Sequence, residues 1–278
     1  MSTVRSLELE LGTRTLDDLG NPPDAIWVPH DDPEVLETLA RVQQEQERAH
    51  INALRRRVTQ GTQVDANDIA AREQQHGVRP VDMQRFQRSV TWYLRHGAPT
   101  TRSDGYVPIQ SVLDALSDTY PSATVDQMLE AAETDAKGRF SVVEENGTLL
   151  IRANQGHSIA SVVSEQIMTL IENAEDIPVC LHGTYEDAFR NIVRSGGLNR
   201  MERRAIQMAV GLPDDTAVRS GIRASVDVVI YIDVERAMRV HGLRFFRSQN
   251  NVICCEGPIP VDCFSRVVRL SDGTLLDF

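Results

Sequence analysis

The sequence predicts an α+β protein. Three stretches with helical periodicity lie between residues 81 and 135, and two runs of β-forming residues around an Asn-Gly turn follow them. The rest of the chain is rich in strand patterns and has few helices. Its strands and helices alternate too irregularly for a doubly wound parallel sheet, so separate helical and β-rich parts are expected.

The first 80 residues are predicted to form an N-terminal extension with a long helix. Residues 33–59 carry a sparse apolar stripe on a helical period, made by Val35, Leu36, Leu39, Val42, Ala49 and Leu54. The polar middle and basic end of this helix indicate that it lies over another surface, and a solvated appendage is favoured over a catalytic role. A short strand and a loop are predicted before it, and a connector with one short helix after it. The role of the extension stays open.

Residues 81–160 are predicted to form a first lobe. Met83, Phe86, Val90 and Tyr93 recur at helical spacing, and Gly97 is expected to be the C-terminal cap of this helix. "YVPIQSVLDAL" predicts a short extended piece and a second helix, "TVDQMLEAAETD" a third, and "RFSVVEENGTLLIRA" a hairpin. Three helices followed by a hairpin is the order of a winged-helix domain.

Residues 161–278 are predicted to form a second, β-rich lobe, entered through a helix-like linker "SIASVVSEQIMTLIENAED". Strands are expected in "IPVCLHGTY", "VDVVIYIDV", "LRFFRS" and "NNVICCEG". Helices are expected in "EDAFRNIVRSGGL", which two glycines end, and in "ERAMRVHG".

The composition narrows the class of protein. A net charge of −11 argues against bulk electrostatic binding of nucleic acid, so any RNA contact needs a local basic patch. The four cysteines are Cys180, Cys254, Cys255 and Cys263; their spacing does not suggest zinc, and buried reduced thiols are expected. No apolar run approaches about 18 residues and the N-terminus lacks a signal-peptide pattern. We therefore expect no membrane contact, no metal and a cytoplasmic protein, or a nuclear one in a eukaryote.

Several groups could take part in chemistry. Arg95 and His96 lie in the last turn of their predicted helix, where exposed carbonyls favour cations even without a ligand. Arg152 lies on the second hairpin strand, before the polar run "RANQGHS", and Arg223 precedes a strand of the second lobe. A strand arginine usually reaches solvent, so each cation is weak evidence singly. Their joint meaning depends on whether one cleft collects them.

Two further groups of residues stand at element ends. Lys137 and Arg139 flank a glycine before the hairpin and could bind RNA phosphates, although a solvated turn is equally compatible. His182, Gly183 and Thr184 stand where a strand opens, and the glycine there favours close approach of a ligand.

The motifs "YLRHG", "DGYVPI", "KGRF", "IRANQGHS", "LHGTYEDAFRNIVRSGGLNRM", "SGIR" with "VVIYID", and "FFRSQNNVI" occur in this order. Over residues 83–268 the chain resembles the NAD-dependent RNA 2′-phosphotransferase family, which acts in tRNA splicing. The resemblance implies a winged-helix RNA lobe, an ADP-ribosyltransferase-like NAD lobe and an active site between them. It implies NAD as co-substrate and, as partner, an RNA that bears a 2′-phosphate, such as tRNA.

The resemblance also implies residue roles. Arg95, His96, Arg152 and Arg223 match the catalytic Arg-His-Arg-Arg set of the family. His182, Gly183 and Thr184 match its NAD-contacting strand, and Ser248 a serine near the nicotinamide riboside. Lys137 and Arg139 match basic positions that hold the RNA backbone.

One segment departs from the family pattern. After "GLNRM" the family usually carries two histidines at alternate positions, and here Ala205 and Gln207 stand in their places. Arg203 or Arg204 could replace their contacts. Two other functions stay open: an ADP-ribosyltransferase that modifies terminal phosphates of nucleic acids with the same site, and a non-catalytic RNA-binding module.

Overall fold

The computed structural model of the protein describes residues 41–42, 45–46, 49–56, 81–99, 101–213, 215 and 218–278. Of the predicted extension, residues 41–42, 45–46 and 49–56 are described, and they are helical as the periodicity predicts. The strand and loop predicted before this helix, and the connector predicted after it, lie outside the described residues.

The described part of the extension packs against the first lobe. Ile51 and Leu54 are 1% and 5% exposed and join the hydrophobic core of that lobe. Arg55 donates to Asp126 through Nε at 2.7 Å, and its guanidinium also lies 3.4 Å from a carboxylate oxygen of Glu130. The helix is therefore anchored on the lobe, which agrees with the expectation that it lies over another surface.

The first lobe contains three helices and one small antiparallel sheet. In chain order its elements are α1 (Met83–Trp92), a π-helical turn (Tyr93–Gly97), β1 (Val107–Pro108), α2 (Ile109–Ala115), α3 (Val125–Glu133), β2 (Phe140–Glu145) and β3 (Thr148–Ala153). The strands lie in the order β1-β3-β2. All three predicted helices, the short extended piece and the hairpin are confirmed.

Local sequence signals account for the ends of these elements. The Asp82 side chain accepts a hydrogen bond from the Arg85 N–H and begins α1. Asn146 and Gly147 both have positive φ values, 50° and 76°, as a tight two-residue hairpin turn requires. The prediction that Gly97 caps α1 is wrong, because Gly97 ends the π-helical turn and is followed by an extended Ala98.

Thr124 begins α3 with a capping box, in which its hydroxyl accepts from the Gln127 N–H and its own N–H donates to the Gln127 side chain. We expect Thr124→Ala to lower the free energy of unfolding by about 1 kcal/mol, because it leaves an N–H at the start of the helix without this acceptor. Urea denaturation measures this change. Thr124→Ser, which keeps the hydroxyl, serves as the control, and an equal loss in both variants would contradict the capping account.

The second part of the described chain is built from short antiparallel sheets. Its elements are α4 (Ser164–Ile167), β4 (Thr169–Ile171), a 3₁₀ turn (Ala174–Asp176), β5 (Leu181–Thr184), α5 (Glu186–Arg194), β6 (Gly197–Leu198), β7 (Ile206–Met208), β8 (Val228–Ile232), α6 (Val234–His241), β9 (Phe245–Arg247), β10 (Ile253–Cys255), β11 (Ile259–Pro260), a 3₁₀ turn (Val261–Cys263) and β12 (Phe264–Arg269). The sheet orders are β4-β9-β10-β7, β12-β8-β5 and β11-β6. The α+β class is confirmed.

The predicted helix-like linker at residues 158–176 is wrong for most of its length. Only Ser164–Ile167 is α-helical, and Thr169–Ile171 is a strand that pairs with β9. The four cysteines are free and buried, as expected. Cys254 and Cys255 point into different apolar clusters on the two faces of β10. No helix within the described ranges is long and apolar enough to span a lipid bilayer.

Candidate active site

The π-helical turn at the end of α1 carries Arg95 and His96. The Ala98 N–H donates to the Tyr93 carbonyl at 3.0 Å, five residues back, which closes the wider turn. Because the turn inserts one residue into the helical repeat, it changes the direction in which the following side chains point. Arg95 is half-buried and directed inward, while His96 is exposed.

The loop after β3 packs directly on this turn. The Ser158 N–H donates to the Arg95 carbonyl at 2.9 Å, and the His96 Nδ1 lies 2.9 Å from the Ser158 hydroxyl. Gly156 has a φ of +87°, and a Cβ on it would lie 3.0 Å from Nε and Cζ of Arg95. Only glycine therefore allows the loop to approach the guanidinium this closely.

His157 lies at the centre of this arrangement. Its side chain is 2% exposed, and neither ring nitrogen has a hydrogen-bond partner in the part of the chain that the structure describes. Burial lowers the pKa of His157 to about 3, and the positive charges of Arg95 and Arg152 and the neighbouring His96 add to the effect. The ring is therefore a neutral imidazole between two guanidinium groups.

Arg152, on β3, also lies near His157. Its Nη1 donates to the carbonyls of Asp104 at 3.1 Å and Gln166 at 3.3 Å, and its guanidinium lies over the Tyr106 ring at 4.7 Å. The Nε of Arg152 is buried and has no hydrogen-bond partner among the residues described. Carbonyl dipoles and an aromatic face thus hold this cation without neutralising it.

Arg203 and Arg204 connect the second part of the chain to this site. Arg203 donates to the Gln207 side chain at 2.5 Å, and Gln207 donates in turn to the Gln155 side chain. The backbone N–H of Arg204 donates to the His157 carbonyl at 2.8 Å, and the side-chain Nε of Arg204 is buried without a hydrogen-bond partner within the described ranges. Arg204 therefore contacts the loop after β3 through its backbone, and Arg203 is connected to that loop through Gln207.

We call Arg95, His96, Arg152, His157, Arg203 and Arg204 the cationic cluster. Burial, then the charges of Arg203 and Arg139, lower the pKa of Arg95 to about 10. Burial and then Arg223 lower the pKa of Arg203, which puts Arg223 at the edge of the cluster. Burial and the charges of Arg95 and Arg203 lower the pKa of His96. Like charges repel one another here, which is unfavourable without an anion.

Carboxylates lie near the cluster but form no ion pair with its arginines among the described residues: Asp135 and Glu202 oppose the lowering of the pKa of Arg95 and His96, and Arg204 contributes to a lowered pKa of Glu165. Within the described ranges, none of the arginines of the cluster, nor Arg223, forms an ion pair with Asp or Glu. Three buried guanidinium Nε–H groups and both His157 nitrogens lack partners among the described residues, and all five atoms belong to this cluster. Because a neutral imidazole carries one N–H, four of these five atoms are donors. Buried donors of this kind are normally satisfied, so the cluster is suited to bind an anion with several oxygens.

Arg223 is exposed and lies beside Tyr185. Hydrogen bonds from Ser225 and then from Arg223 lower the pKa of the Tyr185 hydroxyl. The structure thus brings Arg95, His96 and Arg152 together around His157, and Arg203 connects this group to Arg223. Their catalytic roles stay predictions.

The predicted NAD-contacting residues have varied surroundings. His182 is largely buried and donates Nδ1–H to the Gln207 carbonyl at 2.9 Å; burial lowers its pKa, and Arg203 acts in the same direction. A Cβ on Gly183 would lie 2.6 Å from Ile222, so packing within the protein already explains this glycine. Thr184 is buried, and its carbonyl accepts from the Asp227 N–H at 3.2 Å.

Ser248 is 3% exposed, and its hydroxyl donates to the Asn250 side chain at 2.8 Å and accepts from the Val252 N–H at 3.0 Å. These hydrogen bonds all close the turn at 248–252. Asn250 also donates to the Lys137 carbonyl at 2.9 Å, which joins this turn to the first lobe. Ser248 has a structural role that the sequence does not reveal, and a role toward NAD stays a prediction.

The two predicted RNA-binding residues differ. Lys137 is exposed, whereas Arg139 is paired with the buried carboxylate of Asp135 at 2.5 Å. The guanidinium of Arg139 also lies over the Phe140 ring. Lys137 is therefore accessible to a phosphate, while Arg139 already has a carboxylate partner.

Comparison with known proteins gives the family. The model of the RNA 2′-phosphotransferase, Tpt1/KptA family, matches residues 81–257. This chain belongs to that family. The match begins where the first lobe begins and includes all residues of the cationic cluster and Arg223. The resemblance inferred from the motifs is confirmed.

Relatives in several organisms share this region. A Schizosaccharomyces pombe protein is 38% identical over 202 residues, which cover 70% of this chain and 53% of that protein, so the chain matches about half its length. The tRNA 2′-phosphotransferase 1 of Danio rerio is 37% identical over 67% of this chain and 85% of its own length. The tRNA 2′-phosphotransferase of Saccharomyces cerevisiae is 31% identical over 69% and 87%.

Ala205 and Gln207, the two residues that depart from the expected pattern, both lie at or beside β7. Ala205 is 9% exposed and packs in an apolar cluster with Phe246, Val252 and Cys254. Gln207 lies between Gln155 and Arg203 and bonds to both. The amide at position 207 thus orients Arg203 and connects it to Gln155, at the second of the two positions where the family resemblance implies a histidine.

Proposed function

We propose that this chain transfers an internal RNA 2′-phosphate, as left at a tRNA splice junction, to NAD. The products are nicotinamide, RNA with a 2′-hydroxyl and ADP-ribose 1″,2″-cyclic phosphate. Membership of the family and the names of the relatives support the reaction. The cationic cluster carries the proposal for this chain, because its buried guanidinium donors form no ion pairs with carboxylates of the described residues and suit a phosphate dianion.

The lobe architecture belongs to the same proposal. Residues 81–160 form a winged-helix RNA lobe, which the order of three helices and a hairpin supports. Residues 161–278 form an ADP-ribosyltransferase-like lobe that binds NAD, and the antiparallel sheets are compatible with it. In this proposal His182, Gly183, Thr184 and Ser248 belong to the NAD side of the cleft. Lys137 contacts the RNA backbone, and Arg139 supports this contact.

In the first step an oxygen of the 2′-phosphate attacks C1″ of the nicotinamide ribose, and nicotinamide leaves as a neutral molecule. Because the leaving group needs no proton, orientation of the two substrates dominates this step. Arg95 and Arg152 hold the phosphate through their guanidinium donors. Neutral His157 keeps the space between them free of a third full charge.

In the second step the 2″-hydroxyl attacks phosphorus and loses its proton to solvent water, while the bond from phosphorus to the RNA 2′-oxygen breaks and that oxygen gains a proton. The phosphoryl oxygens gain negative charge, which the cationic cluster and Arg223 stabilise. Burial, Arg95 and Arg203 lower the pKa of His96 in the free protein, and the negative charge of the bound phosphate favours the protonated ring. In this proposal protonated His96 hydrogen-bonds the phosphate and donates its proton to the departing oxygen. The Ser158 hydroxyl at Nδ1 restrains the ring orientation and leaves Nε2 for this transfer.

The test gives the protein NAD and a short RNA with one internal 2′-phosphate and follows the products over time. Cyclic phosphate together with 2′-hydroxyl RNA supports the proposal. Accumulation of ADP-ribosylated RNA without further reaction identifies an ADP-ribosyltransferase instead. RNA binding without nicotinamide release identifies a non-catalytic module, and either of these two results overturns the proposal.

We expect Arg223→Ala to slow the second step more than the first, so that ADP-ribosylated RNA accumulates. Arg223 lies at the exposed edge of the cluster, beside Tyr185, and contributes when charge builds on the phosphoryl oxygens. Single-turnover kinetics separate nicotinamide release from formation of the cyclic phosphate. Arg190→Ala, at an exposed ion pair with Glu186, is the control. Equal slowing of both steps would remove this assignment of Arg223.

A further inference from the structure

Trp92 is an exposed aromatic residue beside the cationic cluster. Its side chain is 62% exposed, and its ring centroid lies 6.1 Å from that of His96. The two residues are four positions apart, at the junction of α1 and the π-helical turn. A tryptophan of this exposure gains little from packing in the protein, so its position next to a predicted catalytic histidine needs another explanation.

The residue after His96 supports the indole. A Cβ on Gly97 would lie 3.1 Å from Cζ3 of Trp92 and 3.1 Å from Cδ2 of Tyr93. The benzenoid edge of Trp92 therefore rests against the glycine backbone, between the turn and solvent. This contact limits the motion of the ring while leaving most of its surface accessible.

The exposed side of α1 continues away from the site with two cations. Arg88 lies four positions before Trp92 and Arg85 lies three before that, so both share its helix face, and both are exposed. Within the described ranges neither arginine forms an ion pair with a carboxylate, and α1 itself contains no Asp or Glu. In a chain of net charge −11, this face is a local basic surface that leads to His96.

We propose that Trp92 stacks on an unpaired RNA base at or next to the nucleotide whose 2′-phosphate enters the cationic cluster, while Arg88 and Arg85 contact phosphates further along the strand. The inference rests on the proposed function and adds a base-binding subsite to it. Exposed aromatic faces with cations beside them are the usual means of binding single-stranded RNA. Stacking also provides affinity that the overall negative charge does not oppose.

Fluorescence of Trp92 gives a readout that does not depend on turnover. The chain has two tryptophans, and Trp27→Phe leaves Trp92 as the single emitter. The probe is a short single-stranded RNA with one internal 2′-phosphate, titrated without NAD. Matched RNAs lack the base at the 2′-phosphorylated nucleotide, at its 5′ neighbour or at its 3′ neighbour. We expect quenching by the complete RNA, and one abasic RNA that quenches less and binds about tenfold more weakly.

Substitutions at position 92 complete the test. Trp92→Leu should raise KM for the RNA about tenfold and change kcat less than about twofold, because stacking contributes equally to ground state and transition state. Trp92→Phe should restore most of the affinity. Loss of affinity with one abasic RNA supports the subsite and identifies the base. Equal affinity and quenching with all four RNAs, or an unchanged KM in Trp92→Leu, overturns it.

Different results would contradict the proposed phosphate transfer and the proposed stacking of Trp92. If the unmodified protein does not convert the 2′-phosphorylated RNA, the proposed function fails. If it converts that RNA normally, and the abasic RNAs bind as well as the complete one, only the stacking subsite fails. Binding of a 2′-hydroxyl RNA with the same dependence on the base would still support stacking, because the 2′-phosphate and the base are recognised by different residues.

Discussion

Arg95→Gln should lower kcat/KM for phosphate transfer about a hundredfold or more without lowering the stability of the fold. A well-placed donor to a developing oxyanion contributes about 3 kcal/mol to catalysis. Arg95 lies close to Arg203 and Arg139, and its buried Nε has no hydrogen-bond partner in the described part of the chain. Removing its charge relieves repulsion among cations, while glutamine keeps part of the stem and a hydrogen-bond donor. The variant should therefore unfold at the same urea concentration as the unmodified protein or a higher one.

Inorganic phosphate distinguishes this account from a general structural defect. An anion that binds the cationic cluster stabilises the folded protein by mass action, so thermal unfolding should shift upward with phosphate concentration. Arg95→Gln should weaken that shift. Arg236→Gln is the matched control, because Arg236 forms an exposed ion pair with Asp262 at 2.8 Å, away from the site. A large loss of stability in Arg95→Gln, or a phosphate shift equal to that of the unmodified protein, would contradict the assignment.

The sequence predicts elements whose ends depend on local chemistry. The hairpin follows from an Asn-Gly pair that adopts positive φ at both positions, and α3 from its capping box. These interactions involve residues three or fewer positions apart. The helices α5 and α6, with glycines after each, are predicted correctly for the same reason.

The wrong predictions involve contacts that are distant in sequence. Residues 158–176 have mixed periodicity, and pairing of β4 with β9 decides in favour of a strand. A glycine after a helix usually indicates a cap, but the turn that ends at Gly97 is set by its packing against Ser158. Neither partner can be recognised from the local pattern.

The sequence likewise identifies single residues of the candidate active site but not the contacts between residues that are distant in sequence. The motifs identify Arg95, His96, Arg152 and Arg223 as candidates. They do not reveal that the His157 ring has no hydrogen-bond partner among the described residues, or that Arg203 connects the two parts of the chain. His157 belongs to the polar run "RANQGHS", which indicates a functional site at this loop. The run does not indicate that His157 is a buried neutral ring among guanidinium groups. The structural roles of Gly183 and Ser248 likewise depend on Ile222 and on the turn at 248–252.

His157 should make the protein less stable as the pH falls below the ordinary histidine value. Its pKa is about 3 in the folded state and about 6.5 in an unfolded chain, because the folded protein buries it near Arg95, Arg152 and His96. The unfolded state therefore binds the additional proton first. The contribution of His157 to the free energy of unfolding is at its full value above about pH 6.5. Below that pH it falls by about 1.4 kcal/mol for each pH unit, or about 2 kcal/mol by pH 5.

Urea denaturation between pH 5 and pH 8 measures this dependence. His157→Gln keeps a polar side chain without a titrating ring, so its free energy of unfolding should fall by about 2 kcal/mol less over the same interval. His96 and His182, whose pKa values are also lowered, remain in the variant and leave a residual slope of the same sign. Arg236→Gln should retain the full dependence of the unmodified protein. If His157→Gln retains it as well, the ring is not buried as a neutral group, and the central place of His157 among the guanidinium groups is wrong.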